Sequence, residues 1–395
     1  MTLYEKIGIG VIGFVIAAAV IGILVFSIFD LGGGKKSDQP DAFQLKMDED
    51  QRKAAMEQHE MDMKQLEKAE YAKMRKDVSQ GLYSGKKLDD AIGEMLERGD
   101  DLYKMNLNGA NLSKANLAGV DLSSASLQKA KLDYANLQRA DLSSANLQEA
   151  SLFNAFLQNA KLDYANLKGA NLGSANLQES DLSHALLQNA RLDYANLKEA
   201  NLSSANLQES DLSHAFLQKA KLDNANLKRA NLGYANLLKT SLDSANLGNA
   251  VLQGAFLGDA NLQKAILDRA DLRGVFLGSA DLQGANLRDA HLLGVNLGCA
   301  DLQGADLVSA GLQGAYLGNA NLQNAKLDRA GFRGTIFDSA NLQGASLSHA
   351  DFKGARNLTI EQLSKIKTLY NAELDPELME QVKEKYPHLL EEPKE

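Results

Sequence analysis

The chain has 395 residues, with 42 Lys and Arg against 51 Asp and Glu, for a formal net charge of −9 at neutral pH. Hydrophobic residues make up 45% and charged residues 24%, ordinary proportions, while Pro is scarce at four and Trp is absent. The single cysteine, Cys299, excludes an intrachain disulfide and sits in an outward position as a tolerated surface thiol.

In chain order, the first predicted element is a membrane anchor within residues 1–30. From Ile7 to Phe29 runs IGIGVIGFVIAAAVIGILVFSIF, an uncharged stretch long enough at 1.5 Å per residue to cross a hydrocarbon core of about 30 Å. A cleavable signal peptide fits less well. Ala17-Ala18-Ala19 lies in mid-segment with an apolar run still to come, and the leader carries only Lys6. Gly13 with Ala17, and Ala18 with Gly22, have the small-xxx-small spacing that lets helices pair closely, so homo-oligomerisation through this helix or the stalk is an expectation. Lys35, Lys36 and Lys46 follow the segment while only Lys6 precedes it. The positive-inside rule then puts the C-terminal body in the cytoplasm of a single-pass protein of a bacterial inner membrane, with a periplasmic body as the alternative.

Residues 31–86 read as a flexible linker and a charged helical stalk. DLGGGKKSDQPDA is Gly-rich and polar, whereas Gln44 to Val78 contains no Gly or Pro and many good helix formers. Met56, His59, Met63 and Leu66 follow a 3–4 spacing that decays at Glu70 and Lys73, which suits a solvated spacer better than a coiled coil. Residues 87–101 then form an N-terminal helical cap, with Leu88, Ile92, Met95 and Leu96 on one face.

From residue 102 to 356 leucine returns at almost every fifth residue, and in KLDYANLQRADLSSANLQEA at 131–150 it always stands two places after an alanine. Five residues advance a helix by about 140°, so the leucines would spiral around it. In one continuous strand an odd step would send them to alternate faces. What remains is a chain that runs extended for three residues and then turns a corner. Each pentapeptide is one wall, four walls close a coil of about twenty residues, and coils stack at roughly the 4.8 Å strand spacing.

The slots are nearly invariant. Of fifty inward slots from Leu107 to Phe352, 47 are Leu and three are Phe (Phe332, Phe337 and Phe352). Of fifty companion slots, 43 are Ala, the rest being Val120, Ser180, Ser210, Thr240, Val275, Val295 and Thr335. A narrow lumen holds one large and one small side chain per wall. Asn or Asp usually stands before each leucine, as at Asn136, Asp141 and Asn146, and stacking of these side chains adds to the hydrogen bonding between coils.

The pattern A-[DN]-L-x-x, in stretches such as SSANLQEASL and LQGANLRDAHL, resembles the signature of the pentapeptide repeat family over about 255 residues. The resemblance implies an all-β solenoid, a right-handed quadrilateral β-helix of somewhat under thirteen coils and about 60 Å at the strand spacing. Residues 357–395 are similar to the C-terminal extensions of other members. They read as a helical cap of two helices, with a Thr359/Gln362 capping box and Asp375 before Pro376 at a helix start.

A square rod offers flat walls instead of the concavity an enzyme needs, and no nucleophile and base are juxtaposed. No catalytic, cofactor-binding or metal-ligating residue is nominated. His184 and His214 are thirty residues apart and fall on opposite walls, while His291 and His349 are single. Tyr134 and Tyr194 share a wall from which Tyr164 faces away, which reads as duplication of a thirty-residue unit instead of one aromatic stripe.

The resemblance also brings in members that confer quinolone resistance by presenting acidic rows to DNA gyrase. From Asp101 to Arg356, however, 24 acidic residues meet 23 basic ones, too nearly neutral to imitate a polymer with a charge every 1.7 Å or so. The basic residues are interspersed with acids, which disfavours nucleic-acid binding. The expected function is a non-enzymatic, membrane-tethered scaffold for protein partners, on which no single wall stands out. The alternative is a regulator of gyrase or another DNA-bound enzyme.

Overall fold

A computed structural model describes residues 42–393. The expected span at 7–29 lies outside the described residues, among which no helix is long and apolar enough to cross a membrane. The chain divides into two compact units, Met1–Tyr71 and Ala72–Glu395. Helix α1 (Ala42–Ser79) supplies all the described structure of the first unit and continues into the second. In α1, His59, Met56 and Leu66 are exposed and Met63 is half-buried.

The second unit is dominated by the solenoid. Parallel bridges join residue n to residue n+20 without interruption from Asn106 to Arg356, so the coil length is twenty. Every inward slot from Leu107 to Phe352 is buried, and the companion slots are buried except the half-buried Ala115, Val120 and Ala355 at the ends.

The backbone hydrogen bonds explain why the repeat is five residues long. In the wall containing Leu202, the Leu202 amide donates to the Lys221 carbonyl of the next coil at 2.7 Å. Ser204 donates to Asp223 at 2.9 Å, and the corner is closed by Ala205 donating to Leu202 at 3.0 Å. Asn201 donates back to Ser180 at 2.9 Å. One amide per pentapeptide, that of Ser203, finds no backbone acceptor; the Asn201 side chain takes it at 3.2 Å. Where Asn or Asp stands before the leucine it is therefore a cap for the corner as well as a rung between coils, as where Asn136 donates to Asn116 at 3.0 Å. The second corner residue is left-handed throughout, as in a type II turn: Ser204 has φ 59° and Gly304 has φ 66°.

Both ends are closed. Helix α2 (Gly85–Glu97) buries Leu88, Ala91, Ile92 and Met95. Leu96, expected on the same face, is half-buried, and Ala91 takes a buried place instead. At the other end Phe332 and Phe352 stack at 4.9 Å inside the lumen, with Phe337 packed against both. The tail departs from two regular helices. Helix α3 (Ile360–Leu363) is one turn, after which Thr368 pairs with Ser346 and Glu373 with Asp351, so the chain rejoins the ladders before α4 (Pro376–Lys385). The Thr359/Gln362 capping box is present. Asp375 makes no side-chain cap to α4; its carboxylate accepts from the Gly354 amide at 3.0 Å and ties the tail to the last coil.

Candidate interaction face

The residue before each leucine points outward, and the twenty-residue register sorts these residues into four ladders, beginning at Asn106, Asn111, Asn116 and Asp121. The Asp121 ladder is polar throughout: Asp141, Lys161, Asp181, Asn201, Lys221 and onward. The Asn106 ladder holds Leu186 and Ile266, and the Asn111 ladder Val251. All five aromatic residues in these slots, Phe156, Phe216, Phe256, Phe276 and Tyr316, fall on the Asn116 ladder. With four walls to choose from, five residues share one by chance about once in 256, so the clustering is a property of the wall.

These rings are exposed, from 38% at Tyr316 to 52% at Phe256. Each also gives up something: a phenyl ring cannot accept the corner amide that Asn or Asp would have capped, leaving Gln158 and Gln218, for example, without that partner. Sacrificing a local structural rule at five positions along one wall is what a binding surface looks like in a repeat protein.

Three of the rings are followed two residues later by glycine, at 258, 278 and 318. A Cβ at Gly278 would stand 2.7 Å from the Phe276 ring, and one at Gly258 also 2.7 Å from it. Phe276 therefore lies flat across two glycines, and Tyr316 lies likewise across Gly298 and Gly318. Glycine is needed there so that a ring can be laid along the wall with one face to solvent.

The corner just before this wall carries a second aromatic column. Tyr194, His214 and Tyr234 stack in three successive coils, with ring separations of 4.7 and 5.3 Å and interplanar angles of 3° and 9°. Farther along the same corner, positions 254, 274, 294, 314 and 334 are all glycine. The expectation that no wall stands out is thus corrected: the Asn116 wall and its leading corner form an aromatic face. The reason is that the pattern repeats at twenty residues and is invisible at five.

The histidines are placed as the spacing requires. His184 stacks on Tyr164 at 4.8 Å in a separate column, away from His214. His349 lies edge-on to Tyr370 at 5.5 Å, and His291 sits on the Asn111 ladder. Among the described residues no group of three His, Cys, Asp or Glu is placed to hold a metal ion. Two shallow hollows, of about 310 and 230 Å³, lie between the final coils and the tail, lined by residues such as Asn341 with Gln362 and Phe352 with Leu374.

The family model for pentapeptide repeats matches in eight copies between residues 106 and 354. The chain belongs to the pentapeptide repeat family, and its solenoid is a right-handed β-helix. Among solved structures it is similar to HetL of the cyanobacterium Nostoc sp. strain PCC 7120, a protein involved in heterocyst differentiation regulation. The two are 30% identical over 65% of this chain and 95% of that one, with a TM-score of 0.31. A pentapeptide repeat protein of the Arabidopsis thaliana thylakoid lumen is 32% identical over 28% of this chain and 75% of its own, with a TM-score of 0.23. The plasmid-mediated fluoroquinolone resistance protein QnrB1 is 16% identical over 68% of this chain and 95% of its own, with a TM-score of 0.18. No curated protein matches the chain.

Proposed function

We propose that this protein is a non-enzymatic interaction rod whose Asn116 wall binds protein partners and which residues 7–29 hold at a bacterial inner membrane. The observation that carries the reading is the placement of all five outward-slot aromatic residues on one ladder, each in the place of a corner-capping Asn or Asp. Aromatic side chains are the residues that most often dominate binding energy at protein interfaces, because they bury a large rigid area at small conformational cost. The near-neutral rod favours this reading over mimicry of DNA.

A photo-cross-linking residue placed at Phe276, compared with one at Ile266 two walls away, tests the reading in intact cells. Ile266 is a fair control because it is 39% exposed against 40% for Phe276. Protein adducts at Phe276 and not at Ile266 are expected; equal yields, or none at Phe276, would remove the proposal.

The lysines after residue 29 support a cytoplasmic body. Cys299 is exposed, so an impermeant thiol reagent should label it in permeabilised cells and leave it unlabelled in intact ones. Labelling of intact cells would place the body in the periplasm.

A further inference from the structure

We infer that the Asn116 wall docks a second copy of this chain, antiparallel, about a two-fold axis passing between the coils of Phe256 and Phe276. This rests on the wall being the interaction face and names the partner it fits. When two identical walls meet face to face and antiparallel, the axis lies across the wall and each column meets the same column of the other copy in reverse order. The sequence of the wall can therefore be tested against itself.

Counting coils outward from that axis, Phe256 meets Phe276 of the second copy and Phe216 meets its Tyr316, while Asn236 falls opposite Asn296. The leading corner interlocks by size. Tyr234 and His214 face Gly294 and Gly314 of the second copy, where a Cβ would meet nothing within 4 Å, so each ring meets a coil that has none. At the ends the charges are opposite, where Lys198 meets Asp338. No like charges are set against each other anywhere between the Asn196 and Ile336 coils. Displacing the axis by one coil toward the N-terminus keeps one ring pair, Phe276 on Phe216, but puts Phe256 on Asn236 and Tyr316 on Asn176.

The eight coils that meet span about 38 Å at the strand spacing. With a wall roughly 12 Å wide the contact covers roughly 900 Å² over both copies, close to the lower limit for a specific interface. The pair is accordingly a weak one, best detected by trapping.

The native thiol provides the trap. Cys299 lies on the trailing corner of this wall, and in the matched register it meets Lys239 of the second copy. Within one chain residues 239 and 299 are three coils apart, roughly 14 Å, beyond the Cα separation of about 7 Å that a disulfide tolerates. Lys239 has φ 59° as a non-glycine residue already, so cysteine fits its backbone.

The full chain in native membranes, mildly oxidised, should give at least tenfold more disulfide dimer as Lys239→Cys than as the native chain. The Glu199→Cys variant, which pairs with Cys299 only in the displaced register, should stay at the native level. Phe256→Asp with Phe276→Asp in the Lys239→Cys background should cut the yield at least tenfold without unfolding, since Asp is a residue these slots ordinarily hold. Dimer from Glu199→Cys equal to or above that from Lys239→Cys, or a yield indifferent to the Phe substitutions, would overturn the inference. If Phe276 photo-cross-links to other proteins while Lys239→Cys gives no dimer, this inference fails and the interaction face stands; adducts at neither remove both.

Discussion

The side-chain oxygen of Asn201 accepts the amide of Ser203 at 3.2 Å, and this contact sets the energetic cost of the aromatic face. A hydrogen bond of this kind contributes about 0.5–1.5 kcal/mol net. Asn201→Ala should lower stability by about that amount. Phe216→Asn, which restores a cap to the Gln218 corner, should raise it by a similar amount while weakening any binding along the wall. Denaturant titration of the two variants against the native chain checks both signs. A destabilised Phe216→Asn would mean that the ring serves the fold.

The cap at the C-terminal end depends on one side chain. Gln362 donates from Nε2 to the carbonyls of Phe337 at 2.8 Å and Ala340 at 3.0 Å, while its Oε1 accepts from Thr359 at 2.8 Å. Gln362→Ala leaves two part-buried carbonyls without those partners, for a cost of about 1–3 kcal/mol. In a solenoid that loss is local, because each coil touches only its neighbours. Amide exchange should therefore quicken around Leu342 and Leu347 and stay unchanged around Leu202.

Acid should weaken the rod through its ladder aspartates. The Arg273 guanidinium holds the Asp271 carboxyl below the usual range by hydrogen bonds of 2.7 and 2.6 Å, against a smaller opposing effect of burial. At Asp141 burial raises the pKa, but the nearby Ser143 hydroxyl and the hydrogen bonds from the Ser143 amide at 3.0 Å and Lys161 at 3.3 Å outweigh it and the net direction is down. A carboxylate whose pKa is lower folded than unfolded adds stability above its unfolded value of about 3.9, and that stability is lost as pH falls through the folded pKa. Melting temperature should be level on this account above about pH 5 and decline below about pH 4, with Asp271→Asn showing a shallower decline.

Much of the fold is legible in the sequence because the lumen is so narrow. Leu202 and Ala200 have no alternative inside a square coil, and that constraint repeats at every wall. The outer face follows a different rule. Phe156, Phe216, Phe256, Phe276 and Tyr316 look scattered until they are read at intervals of 60, 40, 20 and 40 residues, all multiples of the coil. The His214 stack was hidden for the same reason: the thirty-residue duplication that places Tyr164 and Tyr194 apart brings Tyr194, His214 and Tyr234 together at twenty. Thr368 and Glu373 returned to the ladders without any pentapeptide signal, because their places are fixed by the open edge at Ser346 and Asp351 that they cover.

The twenty-residue coil is the claim from which the walls, the aromatic face and the paired register all follow. It can be measured by electron–electron dipolar spectroscopy on chains with Cys299→Ser, diluted with unlabelled protein. Spin labels would stand at position 144 together with 224, 264 or 324, all on one corner at four, six and nine coils. The separations should rise linearly, near 19, 29 and 43 Å, by about 4.8 Å for every twenty residues. Separations that do not increase in that proportion would contradict the four-walled coil and with it the assignment of every residue to a wall.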